Sequence, residues 1–259
     1  LSYTAPTRLE LVALASLPLI RAGDALAPLI AAALQREGLR LERGDVLVVA
    51  QKIVSKAEGR RVPLSSVTPS ARARSLAQRL GKDPRLIELV LRESREVLRI
   101  GREVLIVEHR SGFVLANAGI DQSNVNERGD DTEALLLPED ADASAARLRT
   151  ELATLTGTEA AVLVIDSIGR AWRRGTVGQA LGAAGLPVVV DARGRRDLFG
   201  RPLRATDIGI ADELAAAASL LMGQANESRP VVLVRGFDAR DCGQTARVLQ
   251  RDRREDLFR

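Results

Sequence analysis

Residues 45–61, DVLVVAQKIVSKAEGRR, decide how this chain is read. Val46 to Ala50 are five apolar residues in a row, too few for a helix and rich in β-branched side chains, so they predict a buried strand. Charge begins where that strand ends: Gln51, Lys52, Ser55, Lys56, Glu58, Arg60 and Arg61 follow, with Gly59 free to turn. A sheet edge carrying so many donors suits a phosphate group. The competing interpretation puts Lys52 and Lys56, four residues apart, on the solvated face of a short helix, where runs of charge usually lie.

Outward from this stretch, strand and helix patterns alternate. LELVAL (9–14) predicts a strand, and Leu17-Pro18-Leu19-Ile20 an apolar loop in which proline blocks a helix. Leu26, Leu29, Ile30 and Leu34 fall at helical spacing behind Asp24, a candidate cap. Ser70 is expected to cap a basic helix that Gly81 stops, and Pro84 to open another running to about Leu98. Strands are predicted at 103–107 and 113–116, joined through HRSG, and they deliver NAGIDQSN (117–124) at a strand end. NERGDDTE (126–133) reads as a surface loop. A helix over about 142–156 then leads to a second apolar strand, 160–165, that ends on Asp166 and Ser167. Further on come a strand at 186–190, a mobile Arg/Gly stretch to Arg204, a helix from about 207 to 222, a loop to Arg229 and a last strand at 231–234. RDRREDLFR reads as an exposed tail. No repeat or low-complexity linker divides the chain, so no domain boundary is expected within residues 1–259.

Composition narrows the function. With 46% apolar and 28% charged residues the chain is neither disordered nor collagen-like, and no apolar run approaches a membrane span. No basic-plus-apolar leader is seen, so a cytoplasmic location is expected, and a first residue of Leu rather than Met fits a start that has been trimmed. A net charge of +4 and a pI of about 9.9 invite a nucleic-acid partner. Aromatic residues make up only 2%, however, and the arginines are scattered, so an anionic small molecule is the better expectation. Cys242 is the only cysteine and His109 the only histidine, which excludes a Cys/His zinc site and leaves hard oxygen ligands as the open metal chemistry. His109 itself reads as a surface residue without a role.

Two predicted strand ends carry an acid, Asp121 and Asp166. Brought together, they suit Mg²⁺ or Mn²⁺, with Ser167 and Gln224 as neutral oxygen donors and open positions left for phosphate oxygens. Lys52, Lys56, Arg170, Arg173 and Arg174 would then neutralise charge on a transferred phosphoryl group. Neither a Walker A loop nor a G-x-G-x-x-G fingerprint occurs, so neither a P-loop nor a Rossmann fold is signalled.

LPLI (17–20), GDVLVVAQKIVSKAEGR (44–60), NAGIDQSNV (117–125), IDSIGRAWRRG (165–175) and LLMGQANESRPVVLVRG (220–236) resemble, in order and spacing, the motifs of the F420-0:gamma-glutamyl ligases. The resemblance covers nearly the whole chain. It implies that GTP contacts Leu17, Pro18, Leu19, Ile20, Gln51, Lys52, Lys56, Asn124 and the loop Met222, Gly223, Gln224, Ala225, Asn226, Glu227, Ser228 and Arg229. It further implies two divalent cations held through Asp121, Asp166, Ser167 and Gln224, a single catalytic unit over residues 1–259 in an intertwined homodimer with the family's own mixed α/β (α+β) fold, and in some relatives a potassium ion. The implied reaction uses GTP to phosphorylate the terminal carboxylate of coenzyme F420-0. L-Glutamate then displaces phosphate to form an amide, and later rounds build a γ-linked polyglutamate.

Two departures from the family pattern stand out. The 126–133 loop looks longer and more polar, and the chain stops at 259 without the reductase-like extension of two-domain relatives, so ligation without flavin-dependent reduction is expected. The runner-up reading is a metal-dependent nucleotide phosphohydrolase with water as acceptor. A basic nucleotide- or RNA-binding module is the third.

Overall fold

The computed structural model describes residues 4–125 and 132–256. Glu10–Leu14 form β1, Leu26–Arg36 α1, Val46–Ala50 β2, Gln51–Ala57 α2 and Arg61–Pro63 β3. Helices α3 (Ala71–Leu80) and α4 (Pro84–Arg92) precede a meander of β4 (Ser94–Ile100), β5 (Leu105–His109) and β6 (Val114–Ala116). The chain continues as β7 (Glu133–Leu135), α5 (Ala141–Thr156), β8 (Ala161–Arg170), β9 (Arg173–Ala184), β10 (Val190–Asp191) and β11 (Asp207–Ile208). It closes with α6 (Ile210–Met222) and β12 (Val231–Arg235).

The main sheet has the order β1-β12-β2-β8-β9, and only β2 and β8 run parallel. Its central strands are apolar without alternation because both faces are covered. Leu47, Val49, Val162, Val164 and Leu233 pack under α1 and α5, while Val46, Val48, Leu163, Ile165 and Val234 pack under α6. With a single parallel pair, this mixed α/β architecture is not a doubly wound parallel sheet. A smaller part packs α3 and α4 against the meander through Leu76, Leu80, Ile87, Val90, Leu105 and Val107. No helix among the described residues is long and apolar enough to cross a membrane.

Register explains how distant segments meet. Leu14 pairs with Val231, Val231 with Val49, and Ala50 with Ile165. The loop after β1, the start of α2 and the loop before β12 therefore leave the sheet at one end, beside Asp166 on the continuing β8. The backbone of Ala50 fastens that end by donating to the Pro230 carbonyl at 2.8 Å.

Local rules hold at the helix ends. Ser70 Oγ accepts from Ala73 N at 3.1 Å and Gly81, at φ 64°, ends α3 in the left-handed region. Asp24 does not cap α1; its carboxylate accepts from Arg21 N, and Ala25 stands at the cap. Helix α4 stops at Arg92, six residues short of the expected Leu98, because the β-branched, charged run from Ser94 to Ile100 pairs with β5 instead. Asp166 does not end its strand: β8 runs on to Arg170 and turns back through Ala171 and Trp172 into the twelve-residue β9. The expected strand at 186–190 is reduced to Val190–Asp191.

His109 is buried, at 3% exposure, and not a surface residue. Its backbone N–H donates to Phe113 O at 2.8 Å, closing the β5–β6 turn. The C-terminal segment is docked through Arg253, which reaches Glu96 and buried Glu108 at 2.7 Å each. Of the loop expected at 126–133, residues 126–131 lie outside the described residues; Glu133 opens β7.

Candidate active site

A cleft of about 720 Å³ opens at the end of the sheet where the four segments meet. Helix α2 starts directly from β2. Its seven residues, about two turns, put Gln51, Ile53, Val54 and Ser55 into the protein and turn Lys52 and Lys56 to the cleft. The short helix of the competing interpretation is thus present, but its lysines are not merely solvated. Lys52 Nζ lies 2.6 Å from Asp121 Oδ2 and 2.9 Å from the Ser123 carbonyl. Lys56 Nζ donates to the Asn124 carbonyl at 2.6 Å.

The 117–125 segment reaches these lysines through a run of unusual backbone. Asn117, Ala118 and Asn124 all have positive φ, between 50° and 55°. Asp121 then forms a two-way backbone bridge with Leu135. Across the cleft, Asn124 Nδ2 donates to Ala225 O at 2.9 Å, and Gln224 Nε2 donates to Ser167 Oγ at 2.9 Å. In the same loop Gly223 takes φ 74° and ψ −176°, a conformation that glycine alone adopts readily, and a Cβ there would also push the Glu227 carboxylate aside. That carboxylate accepts from Ala225 N at 2.9 Å. The backbone N–H of Ala225 comes first among the bonds and charges that hold Glu227 below the usual carboxylate range.

The two acids are close enough to sense each other. Burial pushes Asp166 up to about 6; the nearby Asp121 charge adds to this, while the Ser167 N–H, Lys52 and the Gln51 amide oppose it. Burial also acts to raise Asp121, but the Lys52 ammonium and the Ser123 donors outweigh it and hold it below its ordinary value. Two carboxylates, a hydroxyl and an amide oxygen form a hard-oxygen donor set. Among the described residues no third His, Cys, Asp or Glu joins them. That set suits Mg²⁺ or Mn²⁺, which take one or two carboxylates and complete their shell from substrate phosphate and water.

Every residue expected to contact nucleotide or cation lines this cleft, from Leu17 to Ile20 through Gln51, Lys52, Lys56, Asp121, Asn124, Asp166 and Ser167 to Met222 to Arg229. Arg170 and Arg173 do not. They pair with each other where β8 turns into β9, outside the cleft lining of this chain. Ser123 and Arg61, singled out above only as part of longer stretches, line the cleft too, as do Arg21, Thr176 and Ser219. The position of Ser219 one turn before Met222 on α6 was the one signal for it; Thr176 comes in only because β9 pairs with β8.

Clustered cations, two interacting acids and an open cleft at one end of the sheet have the chemistry of an enzyme site suited to anionic groups. Sequence comparison gives the family. The profile described as F420-0:Gamma-glutamyl ligase matches residues 15–236. The chain is 47% identical over 254 residues to the coenzyme F420:L-glutamate ligase of Methanothermobacter thermautotrophicus, covering 97% of this chain and 99% of that one. Identity to the proteins of the same name is 45% in Methanopyrus kandleri, over 93% of each chain, and 40% in Methanocaldococcus jannaschii, over 85% and 86%. The chain belongs to the F420-0:gamma-glutamyl ligase family.

Proposed function

We propose that this protein joins L-glutamate to coenzyme F420-0 at the expense of GTP, as a single catalytic unit. The observation that carries this reading is the convergence, in one cleft, of Lys52, Lys56, Asp121, Asp166, Ser167 and the 222–229 loop. A carboxylate is a poor acceptor for an amine because oxide is a poor leaving group. The acceptor carboxylate therefore attacks the γ-phosphorus of GTP, GDP leaves, and an acyl phosphate forms. The glutamate amine, after losing a proton, attacks the acyl carbon; inorganic phosphate leaves and an amide remains. Further rounds on the γ-carboxylate of the added glutamate give F420 with a polyglutamate tail.

Each of the chain's groups has a share in this. Lys52 and Lys56 hold phosphate oxygens and offset the charge that gathers as an anionic acceptor nears the triphosphate. Asp121, Asp166, Ser167 and Gln224 would hold divalent cations, two by the family resemblance. Such ions, when bound, withdraw charge from the phosphate oxygens. Lys52 Nζ, 2.6 Å from Asp121 Oδ2, would be released toward phosphate oxygens where Asp121 serves as a cation ligand. The 222–229 loop and Leu17 to Ile20 wall the nucleotide. A second copy of the chain fits the almost fully exposed Trp172, Leu198 and Phe199, apolar groups that a homodimer would cover; sedimentation velocity tests this, and a monomer at all concentrations removes it.

The decisive experiment is mass spectrometry of the product from F420-0, GTP, Mn²⁺ and glutamate, with Asp121→Ala and Asp166→Ala beside the native protein. Mass gains of one or more glutamyl units in the native protein, absent in both variants, support the reading. Rapid phosphate release from GTP alone, indifferent to F420-0 and glutamate, would point to a phosphohydrolase instead.

A further inference from the structure

Ser123 has no part in the steps above, yet it joins the acidic and the cationic side of the cleft. Its backbone N–H donates to Asp121 Oδ1 at 2.7 Å and its hydroxyl donates to the same oxygen at 2.8 Å. Its carbonyl accepts from Lys52 Nζ at 2.9 Å, and a lone pair of the hydroxyl faces the same ammonium at 3.3 Å. A hydroxyl has one proton to give, and here it goes to Asp121.

Both donors act on Oδ1, so they fix the plane of the carboxylate and leave Oδ2 turned toward Lys52. A metal-binding carboxylate needs one orientation, and groups that hold a ligand in place tune affinity nearly as strongly as the ligand itself. We propose that Ser123 is a positioning residue for the divalent-cation site, setting the orientation of Asp121 and the resting place of Lys52. This rests on the reading that Asp121 helps to hold the cation. The competing account is that Ser123 merely closes a local turn. The turn bond, however, is made by the backbone N–H and survives any side-chain change, while the hydroxyl adds a second bond that the turn does not need. The neighbouring Asn124 anchors the backbone independently through Lys56 and Ala225, so removing one hydroxyl leaves the loop in place.

The test is a titration of the full-length protein with Mn²⁺ alone, reading free Mn²⁺ by electron paramagnetic resonance, for the native protein and the variants S123A, S123T, S123V and D121N. The proposal expects D121N to lose the site and S123A to weaken it about 10–100-fold. S123T should stay near native and S123V, of the same shape without the hydroxyl, should fall with S123A. In turnover, S123A should need more Mn²⁺ while kcat at saturating Mn²⁺ stays within about threefold. Native affinity in S123A and S123V beside a lost site in D121N overturns the role of Ser123 and leaves the cation site standing. Equal binding by D121N and the native protein removes the cation site and this proposal with it.

Discussion

Gly178→Ala should loosen the protein and disable the cleft together. Gly178 lies on β9 directly opposite Ser167 on β8, and its N–H donates to Ser219 Oγ on α6 at 3.2 Å. A Cβ at this position would press into the Ala215 carbonyl oxygen and stand 2.8 Å from both the Ala215 carbonyl carbon and the Ser219 Cβ. The first of these is helix backbone and cannot swing aside, so α6 and β9 must part by on the order of 1 Å. Overpacking of this kind costs about 1–3 kcal/mol. Because φ at Gly178 is outside the left-handed region, alanine also stiffens the unfolded chain, which returns about 0.4–1 kcal/mol. The net loss of roughly 1–2 kcal/mol lowers the melting temperature by about 2–8 °C in a chain of this size. Activity should fall further than stability suggests, since α6 carries Met222 and the loop whose Gln224 meets Ser167, and a displacement near 1 Å at a reacting site costs about 100-fold. Gly169→Ala is the control. It sits in the same β-hairpin with nothing within 4 Å of the added Cβ, so it should gain about 0.4–1 kcal/mol and keep full activity. Scanning calorimetry and the glutamylation assay read both. If Gly178→Ala melts with the native protein and turns over normally, the packing of α6 on β9 is not as described.

Lys56→Ala removes a charge-assisted contact worth about 1.5–3 kcal/mol and should weaken GTP binding about 10–100-fold by isothermal titration, with unchanged affinity counting against its role. Ser70→Ala, losing the α3 cap bond, should cost about 1 kcal/mol in urea unfolding. Burial pushes the Glu93 carboxyl upward, but His109, Arg60 and Arg110 outweigh it and hold it below the ordinary glutamate range. Its ion pairs therefore stabilise the protein fully above pH 4.5, and that contribution is lost as pH falls through the lower folded value. Glu93→Gln should accordingly cost about 3–5 kcal/mol at pH 7, a gap to the native protein that closes in acid; a gap independent of pH would mean that the charge on Glu93 is not what matters.

The sheet was legible where burial on both faces imposes a continuous apolar run, as at β2, β12 and the first half of β8. It was not legible where a strand runs into polar sequence. Nothing in SIGRAWRRG announces that β8 continues past Asp166, because beyond that point Ile168 alone is buried and the ladder with β9 is otherwise held by backbone bonds between residues that carry no apolar pattern. The same holds for β4, whose exposed Arg95, Glu96 and Arg99 read as the end of a helix. His109 was misread for a related reason. A polar residue at the end of a strand is outside or inside according to how the turn folds over it, and that turn is set by Ser111 N–H donating to His109 Nδ1 at 3.0 Å, a contact no spacing rule contains.

At the site, residue types foretold the chemistry but not the partnerships. Two lysines one helical turn apart must face the same way, so their joint appearance in the cleft follows from α2 alone. Which atoms they meet follows from elsewhere. The left-handed φ of 54° at Asn124 turns its carbonyl toward Lys56, and neither Asn124 nor Ser123 advertises this in sequence beyond the tolerance of Asn for that conformation. Arg170 and Arg173 show the opposite limit. Their closeness to Asp166 in sequence suggested a shared site, but a strand moves about 3.3 Å per residue, so four residues of unbroken β8 carry Arg170 well over 10 Å from Asp166. Nearness along a strand is therefore distance in space, whereas the bend from β2 into α2 keeps Gln51, Lys52 and Lys56 together; the element type that follows a motif decides how much of the motif can reach one ligand.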